Sequence, residues 1–209
     1  MTMVMLTQGS RRERKKAAVQ AKILETAIDL FSRYGIGEVT VDQIAEAADI
    51  GKGTLYNYFE TKESVVVAFM VDLERKVQAK VVRLRQSQGN LESILTEFIR
   101  FQMRMKRPYH QFVRVFLGQM FTQTNQFLPY MVEMQKAIDP PLQTLFKGLQ
   151  DRSMISETMP ISDLVLVFKT VHLGLTALWA VEGPPFRQTE RILAQEIHCF
   201  CEGLRAKTL

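Results

Sequence analysis

Apolar side chains recur at helical spacing through most of the chain, and no stretch of any length alternates between apolar and polar positions as a half-buried strand would. Val19, Ile23, Ala27, Leu30, Phe31 and Tyr34 predict a first helix, and Gly35 supplies the left-handed position that ends it. Thr40 followed by Gln43 reads as a capping box, in which the Thr hydroxyl takes the amide three residues on and the Gln reaches back. A second helix therefore begins at Val41 and buries Ile44, Ala45 and Ala48 on one face. Asp49, Ile50 and Gly51 interrupt it, and Leu55 and Phe59, one turn apart, predict a third helix of barely two turns.

From Thr61 a pattern through Val65, Phe69, Leu73 and Val77 predicts a long helix that runs to Gly89-Asn90 and links two parts of the molecule. Leu91 to Met105 is again amphipathic, and Arg107-Pro108 breaks it. Further helices are expected at about 109–126, 129–150, 161–182 and 188–205, the last two separated by Gly183-Pro184-Pro185. The expectation is an all-α protein of about nine helices. It divides into a basic flexible arm at 1–16, a three-helix helix-turn-helix domain at 17–61 and a larger C-terminal helical domain at 62–209.

Charge adds a local feature. The 27 Lys and Arg against 22 Asp and Glu leave only +5, but RRERKK at 11–16 contains five cations and one acid. A solvated tail and a polyanion contact are both open for that run. Cys199 and Cys201 point about 200° apart on a helix and cannot bridge each other there, which fits a reduced compartment. The apolar start MTMVML lacks the preceding cations of a secretory signal, and Asp163, Lys169 and His172 interrupt the most apolar segment, 161–182. A cytoplasmic protein without a membrane span is expected.

The short third helix carries the chemistry. Two turns are unstable alone in water, so Leu55 and Phe59 must hold it inward, which turns Lys52, Thr54, Tyr56 and Asn57 outward. A short second helix after a tight turn is the helix-turn-helix arrangement, and such a helix fits the major groove of B-DNA, about 12 Å wide. As a pattern alone it is also compatible with a purely structural helical hairpin.

The stretch TVDQIAEAADIGKGTLYNYFETKE, residues 40–63, resembles the DNA-binding signature of the TetR family of bacterial transcriptional regulators. Thr40, Ile44, Ala45, Ala48, Lys52 and Gly53 carry the resemblance, with Leu55, Tyr56, Phe59 and Lys62. It covers roughly residues 17–65. It implies that Thr40 and Lys62 anchor phosphates, with Val41 beside Thr40, and that Lys52, Gly53, Thr54, Tyr56, Asn57 and Tyr58 lie at or near the groove. Tyr56 could stack on a sugar or thymine methyl and Asn57 could read adenine, or each could touch only phosphate. Three positions depart from the family pattern: Asp49 where the turn usually has Gly, Gly51 where a Ser usually caps, and Tyr58 where His is common.

Residues 161–182 are apolar on nearly every side, as in a helix buried all round, and a second copy of the chain is a natural covering surface. The resemblance implies dimerisation through the last two helices, with Phe168, Leu175, Trp179 and Ile197 as interface candidates, and a small-molecule site inside the C-terminal helices. The Met and aromatic residues between Phe98 and Met134 serve either a core or an adaptable pocket. Pocket candidates are Phe101, Met105, Phe112, Phe116, Met120 and Phe121, with Met134 and His172; Arg104, Arg114 and Gln119 are further polar handles.

Three histidines, no Gly-rich phosphate loop and no G-x-S-x-G leave little for an enzyme, and no cofactor is expected. In HCFCE, His198 and Cys201 share a helix face but have no partner motif elsewhere, so a buried thiol is expected there rather than a metal site. The expected function is sequence-specific DNA binding by a homodimeric repressor, released from a palindromic operator in double-stranded DNA by a small, largely apolar effector. The alternative is a helical protein-interaction module that keeps the hairpin without reading DNA.

Overall fold

The structure, a computed structural model, describes residues 10–122 and 124–204, without the side chains of 124–131 and 133. Among the described residues all regular structure is helical. The order is α1 (Arg11–Tyr34), α2 (Val41–Ala47), α3 (Lys52–Tyr56), α4 (Lys62–Arg85), α5 (Leu91–Lys106), a 3-10 turn (Arg107–Tyr109), α6 (His110–Thr122), α7 (Thr124–Asp151), α8 (Ile161–Glu182) and α9 (Arg187–Leu204). The chain divides into two compact units, the first ending at Val66 and the second beginning at Val67.

Residues 11–16 are not an arm: they form the opening turns of α1. The Ser10 hydroxyl accepts the Glu13 amide at 3.2 Å, and the Glu13 carboxylate accepts the Ser10 amide at 2.6 Å. This capping box satisfies donors that the first turn cannot, which lets the helix extend through the cationic run. Residues 1–9 of the expected arm lie outside the described residues.

In the first unit α1 packs on α2, and α2 on α3. Ile23, Ala27 and Phe31 from α1, Ile44 from α2 and Leu55 from α3 are fully buried. Each large apolar side chain taken from water contributes about 1.5–3 kcal/mol, and this packing holds the five residues of α3 in helical form.

In the second unit α5 and α8 pack on α9, and α6 and α7 pack on α8. Phe168 of α8 lies at the centre, its ring 5.9 Å from Phe98 of α5 and 5.3 Å from Phe146 of α7. No boundary falls between 126 and 129 as expected: α6 ends at Thr122, and α7, from Thr124, runs through Pro129 and Pro140-Pro141. The α8–α9 link is closed by Glu182, whose carboxylate accepts the amides of Gln188 at 2.7 Å and Thr189 at 2.8 Å, and the Thr189 hydroxyl at 2.6 Å. By length and composition α8 alone among the described helices could cross a membrane, and it is packed against α6, α7 and α9.

Candidate DNA-binding surface and enclosed cavity

The turn between α2 and α3 is built by Asp49. Its φ of 52° is left-handed, the Asp49 amide donates to Glu46 O and the Ile50 amide donates to Ala45 O. These are the two hydrogen bonds of a Schellman motif, and Asp tolerates the left-handed position better than most residues. Gly51 then opens α3 without a side-chain cap. Thr40 opens α2 as expected, its hydroxyl accepting the Gln43 amide at 3.2 Å while Gln43 Oε1 accepts the Thr40 amide at 2.8 Å.

Leu55 and Phe59 are buried, and Lys52, Gly53, Thr54, Tyr56 and Asn57 are exposed on the other side. Val41 and Tyr58 are half-buried. Tyr56, 45% exposed, is the large apolar group that this face offers to a partner. Two cations are engaged in ways the sequence did not reveal. Lys52 Nζ lies 2.7 Å from Asp42 Oδ1, and the hydrogen bond to Asp42, then its charge, holds the ammonium above its ordinary range. Lys62 Nζ donates to the carbonyls of Gly37 at 2.8 Å and Val39 at 3.2 Å, so it braces the loop that presents Thr40.

The second unit holds a half-open cavity of about 280 Å³, near the lower end of ordinary ligand pockets. On α6, Val113, Phe116, Leu117 and Met120 line it at successive helical positions; on α7, Met134, Gln135, Ile138 and Leu142 do so. Its polar groups come in pairs one turn apart or stand alone: Gln102 and Lys106 on α5, His172 and Thr176 on α8, and Glu74 on α4. Lys169, at the rim, pairs with Asp139 at 2.6 Å.

Glu74 is 6% exposed, Gln102 4% and Lys106 9%. Burial pushes the Glu74 carboxyl up against the pull of Lys106, and burial pushes the Lys106 ammonium down against the pull of Glu74. Burial, then the Lys106 charge, holds His172 well below its ordinary 6.5. Both His172 ring nitrogens and Gln102 Oε1 are shut off from solvent and have no hydrogen-bond partner among the described residues. The Thr176 hydroxyl is occupied, donating to His172 O at 2.8 Å.

Four of the eight pocket candidates line the cavity: Phe116, Met120, Met134 and His172. The others do not. Phe112 is core, fully buried with its ring 5.3 Å from Phe69; Phe101 faces Lys80 Nζ; Met105 is half-buried elsewhere on α5; and Phe121 is 63% exposed. Of the polar handles, Arg104, Arg114 and Gln119 are not among the lining residues.

The four dimer-interface candidates are corrected more sharply. Phe168 and Leu175, together with Ile197, are 1% exposed and Trp179 is 2% exposed within a single chain, so none is available to a partner. They belong to the core formed by α8 with α5, α7 and α9. The outward stripe of α8 is Leu166, Leu173 and Val181, which are 61%, 39% and 74% exposed. Cys201 is buried as expected but Cys199 is exposed. His198 meets Glu92 at 3.1 Å, with Glu202 nearby; Glu92 is half-buried and the other two are exposed.

Residues 23–69 match the family model described as bacterial regulatory proteins, tetR family. The chain is 32% identical over 120 residues to the HTH-type transcriptional regulator RutR of Escherichia coli, an alignment that covers 55% of this chain and 56% of RutR. The chain thus spans little more than half the length of that relative. It is 25% identical over 192 residues to the HTH-type transcriptional repressor SCO4008 of Streptomyces coelicolor, covering 92% of each. The TetR-family repressor FadR of Thermus thermophilus, solved with lauroyl-CoA, shares the fold with a TM-score of 0.70 at 18% identity, covering 91% of this chain and 97% of that one. The helix-turn-helix, from Ile23 through α3 into α4, is thus similar to that of the tetR family of bacterial regulatory proteins.

Proposed function

We propose that the protein is a sequence-specific DNA-binding transcriptional regulator, a homodimeric repressor whose affinity for a palindromic operator falls when a small, largely apolar molecule enters the cavity. The observation that carries this reading is the outward face of α3. A five-residue helix held by Leu55 and Phe59 presents Lys52, Gly53, Thr54, Tyr56 and Asn57 together and exposed, at a size that fits a major groove. Relatives named as transcriptional regulators and repressors support the same reading.

The remaining parts fit this role. Thr40 and the amides at the start of α2 position a phosphate, and the exposed cations Arg11, Arg12, Arg14, Lys15 and Lys16 on α1 add attraction to the backbone. The outward stripe of α8 gives a second copy an apolar face, and a two-fold dimer supplies two recognition helices for two half-sites. FadR of Thermus thermophilus, bound to lauroyl-CoA, supports a ligand-holding role for the second unit of this fold. An effector acts through its differential affinity for the DNA-competent and incompetent states. The role places the protein in the bacterial cytoplasm.

Selection of sites from random duplex DNA at physiological salt tests the reading. The expected product is a palindrome with half-sites about one helical turn apart, which Tyr56→Ala relaxes at particular positions at a cost of roughly 1–3 kcal/mol. Enrichment of no sequence by a folded dimer would return the function to protein interaction.

A further inference from the structure

We infer that the cavity selects a ligand with no net charge, whose apolar body carries a hydrogen-bond donor beside an acceptor, as in an aryl amide or lactam. The inference takes the cavity to be the effector site of the proposed regulator and names the chemical class it admits.

Glu74 and Lys106 both line the cavity, each at least nine-tenths buried, and among the described residues neither has an ion pair within 4 Å. A carboxylate ligand would gain Lys106 and confront Glu74; an ammonium ligand would gain Glu74 and confront Lys106. In a low-dielectric site each such confrontation is costly. A neutral group with adjacent donor and acceptor meets both side chains, whichever protonation state they hold, without burying a further charge.

The unpartnered atoms make the same demand. Gln102 Oε1 is a buried acceptor without a donor, and neutral His172 presents one N–H donor and one bare nitrogen, neither of them bonded. Such groups are normally satisfied in a folded protein, and a ligand edge carrying both functions would satisfy them. Around this polar cluster the walls are Met70, Val113, Phe116, Met120, Leu142 and Phe168, which take an apolar body. A whole acyl-CoA fits poorly: its phosphates would meet a buried carboxylate and a single buried ammonium, in about 280 Å³.

The test uses four probes with one body: 2-naphthamide, 2-naphthoate, 2-naphthylmethylammonium and 2-methylnaphthalene, titrated into the full chain at neutral pH by ligand-detected NMR. The amide is expected to bind about tenfold or more tighter than each of the others. In Lys106→Gln the ammonium probe should overtake the naphthoate, and in Glu74→Gln the naphthoate should overtake the ammonium probe. The wild-type ranking decides the matter even where a variant fails to fold. Naphthoate or ammonium binding tightest, the hydrocarbon matching the amide, or no probe binding at about 1 mM would each overturn the inference. Operator binding is measured on the same preparations. A wrong ranking with operator binding intact overturns the ligand class alone; a correct ranking in a chain that enriches no DNA sequence overturns the regulator and leaves the ligand class standing.

Discussion

Lys52 Nζ and Asp42 Oδ1 are 2.7 Å apart, so the first residue of α3 is tied to the first turn of α2 across ten residues of sequence. Both side chains are more than half exposed, so the pair adds little to stability. Its effect falls on DNA. Asp42→Asn should release Lys52 to phosphate and remove a nearby acid, which raises operator affinity and steepens the logarithmic salt slope by up to about 0.9. Gel-shift titrations at several salt concentrations check this, and an unchanged slope would show that Lys52 stays clear of the backbone.

Asp49 occupies a left-handed position with φ 52°. Asp49→Gly should stabilise the protein by roughly 0.5–1 kcal/mol in urea unfolding, because relief of backbone strain outweighs the added freedom of the unfolded chain. Asp49→Val should destabilise it by more than about 1 kcal/mol, since a β-branched residue cannot take that conformation cheaply.

Lys62 is bonded to two carbonyls of the loop before Thr40. Lys62→Met should therefore lower stability by about 1–3 kcal/mol as well as weaken binding to every DNA sequence. A pure phosphate anchor would change DNA binding only, and thermal unfolding of the free protein separates the two.

His172 is held neutral in the fold and protonates near 6.5 when unfolded, because burial and then Lys106 disfavour its charged form. Above 6.5 neither state binds the proton; below it only the unfolded state does, until the lower folded value is reached. Stability should thus fall as pH drops from about 7.5 to about 5.5, by about 1.4 kcal/mol per unit of the gap traversed. His172→Gln should flatten that slope in thermal melts across the same range.

The two faces of α8 make opposite predictions. Phe168→Ala should cost about 3–5 kcal/mol of stability, since it empties the centre of the second unit. Leu166→Glu with Val181→Glu, on the exposed stripe, should leave the fold intact and give a monomer in sedimentation velocity. A dimer that survives the double change would place the interface elsewhere.

Local features were legible in the sequence because their causes are local. The Thr40-Gln43 box, the left-handed Asp49 and the uncapped Gly51 each depend on residues within one turn. The Ser10–Glu13 box that carries α1 through RRERKK obeys the same local rule. The cavity's polar groups were not legible. Glu74 reads as a surface acid on α4, and Lys106 as an ordinary cation in the last turn of α5, where it complements the helix dipole. Only the packing of α4, α5 and α8 with α6 and α7 makes them interior. The interface candidates failed for a related reason. Hydrophobicity marks α8 as buried, but which stripe meets its own chain is decided by helices distant in sequence.

Glu182 closes α8 and, with three hydrogen bonds, opens α9. Surface loops ordinarily absorb an inserted residue at small entropic cost, but here the span is set by the reach of one carboxylate rather than by chain length. One residue more or less between Gly183 and Phe186 would carry the α9 amides out of that reach and leave Thr189, fully buried, without its acceptor. The linker is in effect a ruler, and the axial position of α9 against α5 and α8 is calibrated by a single side chain.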